Sequence, residues 1–447
     1  MKKILLGVLL ASTAMSAQAA DLAPRPYTKA PVMAPVYDWT GFYLGVNAGF
    51  GLGRDRAVHD FGGAGISTYL QPLGAIGGGQ IGYNWQTNSF LGPLVFGVEA
   101  DIQGADMTDN RTDFIGLIQY RQKLDWFGTA RGRIGLVNGP TLTYLTGGYA
   151  YGNVNTTITE AGVPFAFSGN RGGWTWGSGV EAALGGNWTG KIEYLYVDLG
   201  NRTDSFVGQT LHSELRENIF RVGLNYRIGG HSTYTPTVTA NWNGFYIGGN
   251  VGTGTSRNHA TVTDINAGTS VLFNLAPDGL IGGGEIGYNW QAGNIVYGLE
   301  TDFQGSTMED NKTCIGCVPG ASLDFNSKMQ WLGTVRGRLG YAVGPSLFYA
   351  TGGFAYGSVK TALNTLSFSD TRTGWTVGGG IETPFTLLGL FGPNWTSTTE
   401  YLYVDLGRSS RSFDFGNAPG VLTTGAQEHI FRTGLNYHFN TPVSARY

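Results

Sequence analysis

The chain has 447 residues, of which 73 are Gly, 13% are aromatic and only 13% are charged, with a formal net charge of −3. Plentiful aromatics and a small net charge exclude a disordered chain, and the near-neutral balance leaves no electrostatic basis for nucleic acid as a partner. Length alone allows two or three domains.

In chain order, Lys2 and Lys3 precede an apolar run over residues 4–10, and Ala17-Gln18-Ala19 places small residues where a signal peptidase reads them. The pattern predicts a secretory signal peptide over residues 1–19, cleaved after Ala19. The run is too short for a membrane-spanning helix, which needs about 20 apolar residues, and no later stretch approaches that length. A Pro-rich leader, residues 20–38, follows on the periplasmic side, where peptidoglycan is a candidate contact.

From Trp39 onward the chain is written twice. WTGFYLG, GGGQIGYNWQ, WFGTARGRIG, YLTGGYAYG, EYLYVDLG and IFRVGLNYR return in the same order as WNGFYIG, GGGEIGYNWQ, WLGTVRGRLG, YATGGFAYG, EYLYVDLG and IFRTGLNYH. The offset between copies runs from 201 (Glu99 and Glu300) to 211 (Arg221 and Arg432) and changes only between blocks. Regular elements therefore occupy the blocks, and insertions lie in connections. The units are 39–228 and 242–439, joined by a polar linker, 229–241, and followed by a tail, 440–447.

Within the blocks, apolar residues alternate with polar ones or Gly. In IFRVGLNYRI, Phe220, Val222, Leu224, Tyr226 and Ile228 share one face and Arg221, Gly223, Asn225 and Arg227 the other. In FYLGVNAGF, Phe42, Leu44, Val46, Ala48 and Phe50 oppose Tyr43, Gly45, Asn47 and Gly49. This is the period of a β-strand. A soluble sandwich alternates too, but here the polar faces mix Gly with opposite charges: Glu99, Asp101, Glu181 and Glu193 against Arg131, Arg133 and Arg221. The second copy repeats the set as Glu300, Asp302, Glu382 and Glu400 against Arg336, Arg338 and Arg432. Gly and ion pairs fill a narrow interior while large aliphatics face lipid. The outward faces carry Tyr83, Trp85, Trp126, Trp174, Tyr194 and Tyr196, candidates for aromatic girdles. The fold class is thus all-β, a transmembrane antiparallel barrel.

Eight strands centre on Gly45, Gly82, Glu99, Arg131, Gly147, Gly179, Glu193 and Arg221 in the first unit. Connections of about 20 residues are expected after the first, third, fifth and seventh strands, and short turns such as Asn138-Gly139-Pro140 after the others. That pattern puts both ends of each unit in the periplasm.

The WTGFY opening after a Pro-rich leader, the GYNWQ strand, GTARGRIG and EYLYVDLG resemble the alphaproteobacterial outer-membrane immunogenic proteins. The resemblance covers residues 21–227 and again 242–439, and it implies small outer-membrane β-barrels, usually with one copy of the unit, inserted by the barrel-assembly machinery. It also implies an assembly-signal aromatic at the chain end, for which Phe439 and Tyr447 are the candidates. The duplication and the tail depart from the family pattern.

Two closures are open to the pair: two tandem eight-stranded barrels, or one sixteen-stranded barrel. A separate charge set in each half favours two, because such a set neutralises itself best in a narrow lumen. The matching function is a structural, surface-exposed outer-membrane protein contributing to envelope integrity and conducting little, in contact with membrane lipid and lipopolysaccharide. A sixteen-stranded closure instead makes a porin-like channel for small solutes. A third reading, suggested by some members of the family, is capture of haem or another small ligand by outer loops. It rests on His59 and His259, and a lone loop His is more often merely exposed. No resident cofactor or metal is expected. Catalysis would need His212-Ser213-Glu214, better read as a solvated turn. Cys314 and Cys317, the only cysteines, form a candidate local disulfide in an exported protein. The Gly-rich runs lack a following helix, so they read as close backbone packing rather than phosphate cradles.

Overall fold

Apolar and polar side chains separate onto two surfaces at a period of two only in extended chain. In the computed structural model, which describes residues 37–62, 65–113, 118–229, 234–236, 240–318, 321–386, 391–414 and 419–439, the alternating stretches are strands. The first repeat forms β1 (Gly41–Asp60), β2 (Gly65–Leu70), β3 (Leu73–Ser89), β4 (Gly92–Asp113), β5 (Ile118–Asn138), β6 (Thr141–Glu160), β7 (Val163–Gly185), β8 (Trp188–Phe206) and β9 (Gln209–Ile228). The second forms β10 (Gly244–Ser256), β11 (Asn258–Asp264), β12 (Ser270–Leu275), β13 (Asp278–Ala292), β14 (Ile295–Ser306), β15 (Glu309–Val318), β16 (Ala321–Val343), β17 (Ser346–Leu363), β18 (Leu366–Pro384), β19 (Trp395–Asp414) and β20 (Pro419–His438). No helix among the described residues is long and apolar enough to cross a membrane. The expected cleavage site after Ala19, the leader up to residue 36, and Tyr447 lie outside the described residues.

Closure happens within each repeat. Leu44 of β1 faces Ile81 of β3 on one side and Tyr226 of β9 on the other, so the first sheet returns to its own start. In the second, Ile247 of β10 faces Ile286 of β13 and Tyr437 of β20. Each repeat therefore makes a closed antiparallel wall of eight strands, with β11 and β15 continuing β10 and β14 past short breaks. No edge of either wall is left to pair with the other, which rules out the single sixteen-stranded barrel.

The long outer loops are corrected by the structure. About 9–11 residues of tilted strand cross a membrane, whereas the walls of the first barrel use strands of 17 to 23 residues. Segments such as NVNTTITE, expected in a loop, pair on as strand, with Glu160 opposite Val163. Thr, Val and Ile favour that extended state, and a two-residue turn suffices to reverse it. Ala161 and Gly162 take φ of 45° and 84°, and Val207 and Gly208 take 44° and 77°, the positive values that a type I′ hairpin needs at both positions.

Outside, Phe42, Val46, Ile81, Val98 and Ile102 are exposed, as a lipid-facing wall requires, and so are Trp85 and Trp174. Tyr194 departs from the girdle reading. It faces outward but is buried between the barrels, stacked on Phe431 with ring centroids 5.5 Å apart. Phe50 meets Tyr401 at 5.2 Å in the same contact. Past the membrane-crossing part of the strands this contact turns polar. Arg54 reaches Asp278 at 2.6 Å and Asp310 at 2.7 Å, and Arg257 reaches Asp109 at 3.2 Å.

Candidate functional site

Among the described residues, the interior of each barrel holds a dense cluster of paired charges. Strand register makes its first pairs: Glu99 lies directly across from Arg131, and Glu193 from Arg221. Curvature of the wall brings these pairs together at the centre. Arg131 binds Glu99, Asp101 (2.9 Å) and Glu193 (3.2 Å), while Arg221 spans Asp101 (2.9 Å) and Glu193 (2.5 Å). One layer nearer the periplasm, Arg133 holds Glu181 at 3.0 Å and lies 4.7 Å from the centre of the Tyr43 ring. Tyr43 donates to Glu99 at 2.8 Å and sits opposite Gly82, whose missing side chain leaves room for the ring.

The second barrel repeats this construction. Arg336 binds Glu300, Asp302 (3.0 Å) and Glu400 (2.7 Å); Arg432 spans Asp302 (2.8 Å) and Glu400 (2.7 Å); Arg338 holds Glu382 at 2.7 Å. All fourteen charged residues singled out from the sequence are buried and lie in these two clusters.

Sequence reasoning missed three partners, and they make the copies unequal. Lys191 reaches Glu99 at 3.2 Å, so the first cluster balances Glu99, Asp101, Glu181 and Glu193 against three arginines and one lysine. The corresponding site in the second barrel is Thr398, and Glu285 stands where the first has Gln80. Glu285 lies 3.8 Å from Arg432, and His438 caps Glu382 at 3.0 Å. The available signal was the period of two: Lys191 precedes Glu193 by two residues, on the same face.

Packed side chains flank the charges on both sides. Toward the periplasm Trp39, only 1% exposed, folds into the mouth against Val95, Val137, Leu142 and Tyr144, and its amide donates to Gln86 at 2.8 Å. Trp242 does the same in the second barrel against Val296, Ala342, Leu347 and Tyr349, donating to Gln291 at 2.7 Å. On the outer side an apolar layer containing Met107, Leu124, Phe127 and Ile219 covers the first cluster; Met308, Met329, Leu332 and Ile430 cover the second. The WTGFY and WNGFY openings are thus lids as well as strand starts.

The remaining candidates do not converge. His59 is fully buried, in contact with Tyr120 at 2.9 Å and Gln209 at 2.6 Å, and burial holds its imidazole below the usual value. His259 is exposed and bonds Asn274 at 2.8 Å. The two are not an equivalent pair, and His59 is not the exposed loop residue expected. His212, Ser213 and Glu214 lie in strand β9 rather than a turn. Ser213 points inward to Arg171 at 2.6 Å while exposed His212 points outward to Thr203 at 3.0 Å, so neighbours in sequence stand on opposite faces. Among the described residues no group of His, Cys, Asp or Glu could hold a metal. The backbone of Cys314 and Cys317 belongs to β15; their side chains lie outside the described residues. Phe439 is exposed, and its amide bonds Phe245 at 3.0 Å beside the seam of the second barrel.

Residues 7–227 and 232–439, nearly the whole chain, each match the model of the outer membrane protein beta-barrel domain. The chain belongs to this family. Half of it (51%) is similar to the whole of the 31 kDa outer-membrane immunogenic protein of Brucella melitensis, at 37% identity over 245 residues. The 22 kDa outer membrane protein of Rhizobium leguminosarum bv. viciae is 34% identical over 202 residues, covering 44% of this chain and 78% of that one. Among solved structures, Neisserial surface protein A is matched at 12% identity and a TM-score of 0.25, over 44% of this chain and 97% of that one. The protein is an outer-membrane barrel of the alphaproteobacterial immunogenic group, with the unit present twice. Its walls sit in membrane lipid.

One group of the outer contact between the barrels titrates in a useful range. Lys312, in β15 and well beyond the membrane-crossing part of β14, is pushed down to about 7 by burial, against the pull of Asp310 at 3.3 Å. Its ammonium lies 3.8 Å from the ring centre of Tyr69 in the other barrel. A free lysine holds its proton to about 10.4. Between these values the unfolded chain binds the proton and the folded one does not, so stability from this site rises with pH from about 7 upward. Lysine-methyl NMR of the labelled protein should show one resonance with a midpoint near 7, absent in Lys312→Met.

Proposed function

We propose that this protein is a structural, surface-exposed component of the outer membrane that contributes to envelope integrity and conducts little or nothing. The observation that carries this reading is the filling of both lumens: an apolar layer, a cross-braced ion cluster and a Trp lid follow one another along each bore. An eight-stranded barrel has room for side chains and little else. Ions crossing it would have to displace charges that are already paired. Lipopolysaccharide around the outer rim, the barrel-assembly machinery at Phe439 or Tyr447, and peptidoglycan at the leader are the partners that fit this role. Nothing in it calls for catalysis.

The test is conductance of the refolded two-barrel protein in a planar bilayer. We expect a silent bilayer. Large, stable channel steps would overturn the reading in favour of passive diffusion.

A further inference from the structure

Two cylinders that touch along a line leave a wedge on each flank. Here one wedge is a crevice of about 1030 Å³. Val46, Phe50 and Val222 of the first barrel line one side, and Leu339, Phe348 and Ile381 of the second line the other. Toward the outside it ends at the packed rings of Phe50, Phe220, Tyr401 and Phe431. At the other end it reaches Leu184, Ile295 and Phe348, each within three residues of a short periplasmic turn. Direct contact between the barrels resumes there: Thr141 and Ser346 are 3.3 Å apart, and Thr386 donates to Asn138 at 3.2 Å.

We infer that this crevice binds the acyl chains of a single diacyl glycerophospholipid from the periplasmic leaflet. The outward residues that line it are apolar and belong to walls that otherwise face lipid, so water has nothing to bond there and hydrocarbon is the compatible filling. A methylene occupies about the volume of a water, roughly 30 Å³, so the space holds on the order of 30 methylenes, the two chains of one phospholipid. The crevice lies in the periplasmic half of the wall, and the aromatic stack separates it from the outer half. That favours a phospholipid over lipopolysaccharide, whose chains enter from the other side. Walls that meet at an angle contact a chain on two sides, whereas a convex wall contacts it on one, and dispersion gains follow the number of close contacts. The inference does not depend on whether the lumens conduct.

Two measurements test it on the full chain. In vesicles of phosphatidylethanolamine and phosphatidylglycerol carrying a diazirine midway along an acyl chain of phosphatidylethanolamine, photolabel should concentrate on the segments around residues 220–224, 339–341 and 348–350. Labelling spread evenly over all lipid-facing strands would overturn the proposal. Native mass spectrometry from mild detergent should find one retained phospholipid per chain. Ala350→Trp, which fills the crevice, should retain it at least tenfold less, and Val98→Trp, on the wall away from it, should retain it unchanged. No retained lipid in the parent protein, equal retention in all three, or a bound mass of lipid A would each overturn it. If Ala350→Trp fails to give the compact heat-modifiable band of a folded barrel, Ala48→Phe on the facing wall serves in its place.

Discussion

Arg336→Met should lower the stability of the second barrel by about 3–5 kcal/mol, the cost of leaving buried carboxylates without their cation. Arg336 is fully enclosed and bonds Glu300, Asp302 and Glu400 at once. Its removal leaves Arg432 and Arg338 against five carboxylates. The first barrel should keep its own stability, because its cluster is complete without any residue of the second. Urea unfolding in lipid vesicles, read by the heat-modifiable gel shift and by Trp fluorescence, should therefore resolve an early transition for one barrel and an unshifted one for the other. Arg131→Met should reverse the order. Pairing Arg336→Met with Glu300→Gln and Asp302→Asn should recover much of the loss, because neutral amides are far cheaper to bury than charges. An unchanged midpoint in Arg336→Met would mean that the ion cluster does not brace the lumen.

Trp242→Ala should cost a comparable ~3–5 kcal/mol, here through a cavity rather than a stranded charge. Trp242 is wholly buried among Val296, Ala342, Leu347 and Tyr349. Trp174→Ala, half-exposed on the lipid-facing wall, should cost much less, since lipid replaces the lost contacts. The same urea experiment reads both. If the two substitutions cost the same, the Trp lid contributes no more than a girdle residue.

Much of this architecture is legible without coordinates. The period of two in IFRVGLNYRI assigns Arg221 to one face and Val222 to the other, and no strand can mix them. The repeat shows that Glu99 with Arg131, and Glu300 with Arg336, recur as sets. Less visible is what fills the bore around the charges. Leu215, Glu217, Ile219 and Arg221 share the inward face of β9, where apolar and charged side chains alternate. Alternation separates inside from outside; it does not report depth. Trp39 and Trp242 precede the first residue of their strands, where no period applies, and their role as lids depends on the closed mouth above them. The outer ends of the strands are hidden in the sequence for a related reason: polar, Thr-rich segments alternate weakly, and pairing with a neighbour decides whether they are strand.

The sequence by itself determined the class of structure, because backbone groups in lipid need internal partners and strands with one apolar face satisfy that need only in a closed barrel. It also determined that the design is present twice. The tertiary structure alone decided that β1 pairs with β9 and β10 with β20, which makes two closed cylinders of the same strands that could line one pore. Pairing of chain ends far apart in sequence depends on register and curvature summed over the whole wall, and no local pattern carries that sum. The contact between the barrels, Tyr194 against Phe431 within the membrane and Arg54 against Asp278 outside it, follows only once both walls are closed.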